Sequence, residues 1–387
     1  MQAPQYTPAR QRRDSRPFAD LSALFDALPD DALRAALGET RHTGRPGYPI
    51  PVVWRALVAS FYLGIVHDTD LVRALESNPL LAEACGIGSP DAVPSKYAIC
   101  RFRRKLAGFG DAVADVLSST VRRLKDTLPG FGETVAVDAT DVKAWANSFH
   151  QDTDPDAATG AKGKGMQKTY YWYGYKVHLA VDAASELPIW FDVTPANQYD
   201  GRMLAPVLSA AKERYDWFSP SYVTADKGYD AGYIFDAVAS MGAAPVIDVR
   251  KNSIRRGGRE TRDCEARAKI TPEGIRYRCE RLPWDPFCSR FVQCPLLPAF
   301  VDSPLNDLPP PYYERHLPFT YGSKEWKAVY NRRVSVERVF SRLKGCRKLN
   351  GIRTRRLPKV RLHVALSLLA LAGAALHRPA NLSRAVV

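Results

Sequence analysis

The chain has 387 residues, 45% of them apolar, so it can bury the cores of two or three structural units and does not have the composition of a disordered protein. Lysine and arginine outnumber aspartate and glutamate by 55 to 41, which predicts a polyanionic partner, either nucleic acid or an anionic membrane surface. Seven cysteines, an odd number in a chain without a secretory signal, indicate reduced thiols rather than a disulfide framework.

The N-terminal third predicts helices. Residues 1–17 are rich in proline and arginine and form a loose basic leader, whereas residues 18–130 predict an all-helical domain. Ser95 is a candidate N-cap of one of its helices. That helix carries four cations with which it could contact DNA: Arg101, Arg103, Arg104 and Lys105. An ordinary basic surface helix explains these four residues equally well.

From Thr134 onward, short β-rich runs are interleaved with helical segments. The runs are "TVAVDAT", "KVHLAVD", "LPIWFDVT", "SYVTAD" and "APVIDV". Asp200 is the expected N-cap of the helix that follows the third run. This order predicts an α/β domain with a mixed sheet flanked by helices, formed by residues 131–249 and 323–378.

Residues 250–322 interrupt that domain. They are rich in arginine, proline and cysteine, which indicates an inserted subdomain rather than another strand and helix. Four thiolates in this insertion could bind Zn²⁺: Cys264, Cys279, Cys288 and Cys294. No two of them have the two-residue spacing that is most typical of a structural zinc site.

The end of the chain predicts a packed helix. The apolar run from Val364 to Leu376 has thirteen residues, whereas roughly 20 are needed to span a bilayer. We therefore expect no membrane partner.

Between these regions, a basic amphipathic helix is predicted from Ser323 to Lys344. Residues 326–361 hold thirteen lysines or arginines and one acid, Glu337. On a regular helix, a polar stripe of four residues lies within roughly 60° of arc: Tyr330, Arg333, Glu337 and Lys344. The neighbouring face is apolar and is formed by Val336, Val339, Phe340 and Leu343. The simplest interpretation of the stripe is a solvated face on which Arg333 and Glu337 form an i,i+4 pair.

Two acids at strand ends favour a catalytic interpretation instead. Asp138 ends the first β-rich run and Asp226 ends the fourth, and side chains at such positions point to the sheet edge where active sites form. If the two strands are neighbours, the carboxylates converge, and a helix over that edge could add Glu337. Three carboxylates suit Mg²⁺ or Mn²⁺, and two such ions can cleave a phosphodiester. Asp141 and Asp230 lie nearby and could support the ligands, although solvated turn acids are the simpler interpretation.

These residues together resemble the DDE transposases of bacterial insertion sequences. The segments "TVAVDAT", "TADKGYD" and "YNRRVSVERVFSRLK" carry the resemblance, and Tyr330, Arg333, Glu337 and Lys344 match the Tyr-x2-Arg-x3-Glu-x6-Lys signature of one branch at every spacing. The resemblance implies a ribonuclease H-like fold with an insertion before the last catalytic helix. It also implies that Asp138, Asp226 and Glu337 form the metal-binding triad.

The cations around Glu337 then become candidates for holding DNA phosphates. Arg333 could fork onto a phosphate, Lys344 could add a point charge, and Tyr330 could hydrogen-bond a phosphate or stack on a base. Arg338 and Arg342 belong to the same basic block and would add sequence-independent affinity.

The resulting hypothesis is a transposase that uses two Mg²⁺ ions, with Mn²⁺ as a substitute. It would bind the terminal inverted repeats of its element, cut the DNA and join the 3′-OH to target DNA, and the resemblance implies a homodimer on paired ends. We expect a bacterial cytoplasmic protein associated with the nucleoid. Two alternatives remain: a transposase-derived DNA-binding protein that no longer cuts, and a ribonuclease H-like nuclease without strand transfer.

Overall fold

The computed structural model describes residues 20–39, 47–146, 149, 151–164, 167–248, 266–271, 274–279, 319 and 323–376. The predicted leader and most of the predicted insertion lie outside these residues. So do Cys264, Cys288 and Cys294, and the side chain of Cys279 is not described. The zinc prediction therefore falls outside the described part of the chain.

Helices form the described chain up to residue 127, as the sequence predicts. They are α1 (20–27), α2 (Asp31–Glu39), α3 (Ile50–Tyr62), α4 (Asp68–Ser77), α5 (Pro79–Ala84), α6 (Lys96–Leu106) and α7 (Gly110–Thr127). Helix α6 begins at the predicted cap, because the Ser95 side chain accepts a hydrogen bond from the Ala98 N–H at 3.3 Å. A 3₁₀ turn at Ala107–Phe109 separates α6 from α7.

The strands and the later helices follow in chain order. The strands are β1 (Thr134–Lys143), β2 (Ala158–Lys164), β3 (Gln167–Asp182), β4 (Leu187–Pro195), β5 (Tyr222–Ala225), β6 (Ala244–Ile247), β7 (Ala266–Thr271) and β8 (Gly274–Cys279). The helices are α8 (Leu204–Arg214), α9 (Gly232–Ser240), α10 (Lys324–Tyr330), α11 (Val334–Cys346) and α12 (Leu357–Leu376). The predicted mixed α/β architecture with an N-terminal helical region is confirmed.

The chain forms two compact units. The first contains the described residues of Met1–Phe131, Ala139–Gln198 and Val336–Val387, and the second those of Gly132–Asp138 and Tyr199–Ser335. Strand β1 contributes its first half to the second unit and its second half to the first.

In the first unit, the long strand β3 pairs antiparallel with both β2 and β4. The end of β1 runs close beside it: the Ala144 N–H donates to the Tyr173 carbonyl at 3.0 Å. A Cβ at Gly174 would lie 2.2 Å from the Val142 carbonyl oxygen, so this approach requires glycine. Strand β2 was not predicted, because its sequence "ATGAKGK" lacks apolar alternation.

Helix α12 is the central helix of the first unit and contacts α7, α3 and β4. By length and composition it could cross a membrane, but 78% of its apolar window is buried inside the structure. The predicted packed C-terminal helix is thus confirmed, and it extends upstream of the apolar run to Leu357.

A lysine is buried beside this helix. Lys348 is 6% exposed, its Nζ lies 3.1 Å from Ser60 Oγ and 4.3 Å from the centre of the Phe61 ring, and its carbonyl accepts a hydrogen bond from His363 Nε2 at 2.8 Å. Burial, with the nearby charge of Arg103, lowers the pKa of Lys348 to about 7. Burial likewise lowers the pKa of His363 to about 3, which keeps this ring neutral as a donor.

We predict that Lys348→Met stabilises the protein most below pH 7. Between pH 7 and about 10.5, the ordinary pKa of lysine in an unfolded chain, the unfolded chain binds one proton more than the folded chain, so the free energy of unfolding of the unsubstituted protein rises with pH across this window. The free energy of unfolding of the methionine variant should therefore exceed that of the unsubstituted protein by a margin that shrinks by a few kcal/mol from pH 6.5 to pH 9.5. Urea unfolding at both pH values measures this, and a constant difference would contradict it.

In the second unit, the first half of β1 pairs in parallel with β5, and β5 pairs in parallel with β6. Helix α10 contacts β5 and β6, and α9 contacts β6. Strands β7 and β8 form a separate antiparallel pair within the predicted insertion. The parallel strands have the buried, β-branched character expected when both faces are covered, as in "VTA" of β5.

Candidate active site

The second unit brings Asp138 and Asp226 together. The register of β1 and β5 pairs Ala136 with Thr224, and two residues further along each strand Asp138 becomes the neighbour of Asp226. Both side chains are partly exposed at this edge of the sheet. Strands β1 and β5 are neighbours, as the prediction requires. Asp138 lies inside β1 rather than at its end, and Asp226 directly follows β5. The convergence of their carboxylates on one metal ion stays a prediction.

Local structure holds Asp226 in place. It caps the 3₁₀ turn Lys227–Tyr229, and its Oδ1 accepts a hydrogen bond from the Gly228 N–H at 2.7 Å. A Cβ at Gly228 would lie 2.6 Å from this same oxygen, so any larger residue would push the carboxylate away. The glycine of "ADKGYD", Gly228, thus allows the Asp226 carboxylate to keep this capping position.

Tyr229 and Asp200 belong to the same site and were missed at the sequence level. The Tyr229 side chain is 2% exposed, and its hydroxyl has no hydrogen-bond partner among the described residues. Burial raises the pKa of Tyr229 well above its ordinary value, and the negative charges of Asp138, Asp200 and Asp226 raise it further. This electrostatic coupling places three carboxylates around one phenol.

Asp200 is not a helix N-cap, which corrects the sequence prediction. It begins the 3₁₀ turn Asp200–Met203, and α8 starts only at Leu204. Asp200 lies five residues after the end of β4 at Pro195, and the available signal was that an acid follows an apolar strand, as Asp226 follows β5.

Tyr330 and Arg333 also lie in the second unit, near Asp226. The Tyr330 ring stacks on Trp326 with 4.4 Å between ring centres, and the Arg333 guanidinium carbon lies 5.7 Å from the Tyr330 ring centre. Burial raises the pKa of Tyr330; the charges of Asp248 and Asp226 act in the same direction, and Arg333 opposes them. The Tyr330 hydroxyl therefore lies within electrostatic reach of Asp248 and, more weakly, of Asp226, with the Arg333 guanidinium next to it.

The basic helix predicted from Ser323 to Lys344 is not continuous. The prediction that its four polar residues lie on one stripe was therefore wrong in part. Helix α10 ends at Tyr330, a 3₁₀ turn spans Asn331–Arg333, and α11 begins at Val334. The angular relation holds only within α11, where Glu337 lies exposed in the first turn and Lys344 in the last. The apolar face is confirmed, because four side chains are buried: Val336, Val339, Phe340 and Leu343.

Several predicted DNA contacts form ion pairs within the first unit. Glu186 lies 2.6 Å from Arg338 and 3.1 Å from Arg342, and Lys344 Nζ lies 3.4 Å from Asp141 Oδ1. Asp141 is thus an ion-pair partner of Lys344. Asp230 is buried, so the interpretation of that residue as a solvated acid was wrong.

The basic residues of α6 differ in their surroundings. Arg103 forms a bidentate ion pair with Asp68, and Lys105 Nζ donates a hydrogen bond to the Leu37 carbonyl at 2.9 Å. Arg101 and Arg104 are exposed. Half of this set therefore stabilises the helical region, and the other half faces solvent.

The paired carboxylates form an oxygen-only donor set that suits a hard divalent cation. Among the described residues, however, no three histidine, cysteine, aspartate or glutamate side chains lie close enough to hold one metal ion together. The structure thus places two carboxylates, those of Asp138 and Asp226, near each other along the β1–β5 pair, and oxygen donors of this kind suit Mg²⁺ or Mn²⁺ better than zinc.

Comparison with known proteins gives the family. Residues 129–372 match the family model described as "Transposase DDE domain", and residues 8–105 match "Transposase domain (DUF772)". A cryo-EM structure of the piggyBac transposase synaptic complex with hairpin DNA is similar at 11% identity, covering 95% of this chain and 76% of that chain; its TM-score of 0.41 is too low to support an argument. Because the first model covers well over half of the chain, this protein belongs to the DDE transposases, polynucleotidyl transferases that generally use divalent metal ions.

Proposed function

We propose that this transposase binds the terminal inverted repeats of an insertion sequence, cleaves the DNA and transfers the liberated 3′-OH to target DNA. The observation that carries the proposal is that two neighbouring parallel strands hold two acids close to each other: Asp138 lies within β1, and Asp226 directly follows β5. A pair of partly exposed carboxylates in a DDE transposase domain has a direct use in phosphoryl transfer.

The proposed metal ligands are Asp138, Asp226 and Glu337, and the proposed ions are two Mg²⁺, for which Mn²⁺ can substitute. When bound, such ions lower the pKa of an attacking water or hydroxyl and neutralise charge at the phosphate. The spacing of Glu337 from Arg333 and Lys344, which matches the transposase signature, supports its place as the third acid. Gly228 keeps the Asp226 carboxylate fixed through the cap, so its oxygens are oriented before any ligand arrives.

Arg333 and Tyr330 are proposed to hold the DNA backbone next to the aspartates. The guanidinium offers paired donors for a phosphate, and the Tyr330 hydroxyl remains protonated, and so able to donate, because its pKa is raised. Lys344, Arg338 and Arg342 would add phosphate contacts, in competition with Asp141 and Glu186. Arg101 and Arg104 would do so from α6.

The fold and assembly extend the same proposal. We infer a ribonuclease H-like fold; the antiparallel strands β2 to β4 of the first unit and the parallel strands β1, β5 and β6 of the second support it. A homodimer would hold the two element ends together. The protein would act in the bacterial cytoplasm, in association with the nucleoid. The domain division would be residues 18–130 for end binding, residues 131–249 and 323–378 for catalysis, and residues 250–322 as an insertion.

The test uses purified full-length protein and a labelled duplex that carries one genomic end of the element. We predict cleavage at the end boundary and joining to a second duplex in Mg²⁺ or Mn²⁺, and neither in EDTA. Asp138→Asn removes one carboxylate charge and should lower the cleavage rate about a thousandfold, because metal ligation supplies several kcal/mol. Asp236→Asn, at an exposed aspartate of α9, is the matched control and should cut normally.

The outcomes separate the alternatives. Binding without cutting in any metal would favour a transposase-derived DNA-binding protein. Metal-dependent cutting without joining would favour a nuclease. Equal cutting by the Asp138→Asn and Asp236→Asn variants would contradict the catalytic role of Asp138.

A further inference from the structure

A cavity of about 360 Å³ lies in the first unit, apart from the aspartate pair. Helix α6, the segment 348–355 between α11 and α12, the start of α12 and Trp145 form its walls. Six cations line it: Arg103, Arg104, Lys348, Arg353, Arg355 and Lys359. The described lining contains no aspartate or glutamate, so the cavity has a strongly positive potential.

Within the part of the chain that the structure describes, four of these cations have no carboxylate partner. Asp68 neutralises Arg103, and Lys348 is held against Ser60 and Phe61. No ion pair involves any of the remaining four within the described residues: Arg104, Arg353, Arg355 and Lys359. Because natural surfaces usually intersperse opposite charges, such an excess on the wall of one cavity indicates a site for an anion.

The segment 348–355 is held rigidly. The Lys348 carbonyl accepts from His363, and the Arg356 N–H donates to Asp154 Oδ1 at 2.8 Å. Lys348 and Arg356 both adopt positive φ angles, 63° and 77°, which cost energy for non-glycine residues and are found preferentially at functional sites. The backbone that carries these cations is therefore anchored at both ends of the segment.

One wall of the cavity is aromatic and apolar. The Trp145 side chain is 47% exposed, the Arg353 guanidinium carbon lies 4.5 Å from its ring centre, and Arg355 Nε donates to the Trp145 carbonyl at 3.1 Å. Phe61 and Leu362 add apolar surface. An inorganic anion would need only the cations, whereas a flat ring next to them suits a base attached to its phosphate. The volume lies within the range of roughly 300 to 1,000 Å³ typical of sites for organic ligands.

We propose that this cavity binds one nucleotide unit, with its phosphate on Arg104, Arg355 and Lys359 and its base against the Trp145 ring. The nucleotide comes either from a DNA strand, in which case the site deepens the proposed function, or from the free nucleotide pool. The shared chemistry is a phosphate joined to a nucleobase through a sugar.

The experiment measures equilibrium binding of full-length protein to three probes at one fixed salt concentration: a fluorescent five-nucleotide DNA strand, deoxyadenosine monophosphate and inorganic pyrophosphate. The test variant is Arg104→Gln with Lys359→Gln, two exposed cations of the cavity. The matched control is Arg73→Gln with Arg122→Gln, which removes the same charge from exposed positions outside the cavity. The thermal midpoint of each variant shows whether it is folded.

We expect the cavity variant to bind the strand or the nucleotide about tenfold more weakly, and the control to change affinity less than about twofold. Trp145→Leu should weaken binding of the probes that carry a base and leave pyrophosphate binding unchanged, since the leucine retains the backbone carbonyl. Much tighter binding of the strand than of the mononucleotide would assign the site to DNA, and equal binding would assign it to free nucleotides.

Two outcomes would overturn the proposal: equal losses in the cavity and control variants, or no effect of Trp145→Leu on any probe. Cleavage of the end duplex is measured in parallel. A wild-type protein that does not cut DNA refutes the proposed function without affecting the binding comparison, so the two failures are distinguishable.

Discussion

Glu337→Gln is expected to reduce DNA cutting about a thousandfold while leaving DNA binding intact. Glutamine keeps the size and hydrogen-bonding capacity of the side chain but removes the charge that a metal ligand needs, and loss of such a ligand costs several kcal/mol in the transition state. Glu337 is exposed in the first turn of α11, so the substitution should change the free energy of unfolding by less than about 0.5 kcal/mol. DNA binding should not weaken, because the substitution removes the negative charge of Glu337 from a basic region that is expected to contact phosphates.

The matched control is Glu186→Gln. Glu186 is another acid of the first unit and forms ion pairs with two arginines of α11, Arg338 and Arg342. The Glu186→Gln variant should cut DNA at nearly the normal rate, because Glu186 is not a proposed metal ligand. It should also remain folded, because partly exposed ion pairs contribute little to stability. Rates of cleavage in Mg²⁺ and Kd values in Ca²⁺ measure both variants. Normal cutting by Glu337→Gln would remove this residue from the catalytic set and leave the aspartate pair to be explained without it.

Leu368→Ala is expected to lower the free energy of unfolding by about 3 kcal/mol. Leu368 is fully buried in α12, which packs against α7, α3 and β4, and truncation of a buried leucine loses transfer free energy and leaves a cavity. The slightly better helix propensity of alanine offsets only a small part of this.

Lys359→Ala, at an exposed position on the same helix, should change stability by less than about 0.5 kcal/mol. Urea unfolding followed by far-ultraviolet circular dichroism compares the two variants. A lower midpoint with an unchanged m-value is the expected signature. A loss below about 1 kcal/mol would mean that α12 is not the core helix of the first unit.

The aspartate pair could be anticipated from the sequence to a large extent. Apolar runs that end in an acid are local patterns, and they placed Asp226 correctly at the end of its strand, whereas β1 continues past Asp138 to Lys143. That the two strands are neighbours depends on hydrogen bonds between segments far apart in the chain, which no local pattern encodes. The sequence also did not indicate that the buried phenol of Tyr229 and the carboxylate of Asp200 belong to this site, because their closeness to it likewise depends on contacts between distant segments.

Helix boundaries were harder to predict than helix faces. The apolar face of α11 was correct, because a 3.6-residue period survives small irregularities. The 3₁₀ turn at Asn331–Arg333 was missed, since neither proline nor glycine marks it. Because of that turn, the Arg333 guanidinium carbon lies 5.7 Å from the centre of the Tyr330 ring, and only the folded chain reveals this arrangement.

The sequence by itself determined the α/β class, the helical N-terminal region, the family signature and the identity of the candidate acids, because each rests on residue type and spacing within one segment. Tertiary structure alone decided which cations are neutralised. Arg338, Arg342, Lys344 and Arg103 meet carboxylates from distant segments, whereas four other cations that line the cavity meet none among the described residues: Arg104, Arg353, Arg355 and Lys359. Charge in a sequence is a local property, but its compensation depends on which segments the fold brings within a few ångströms of each other.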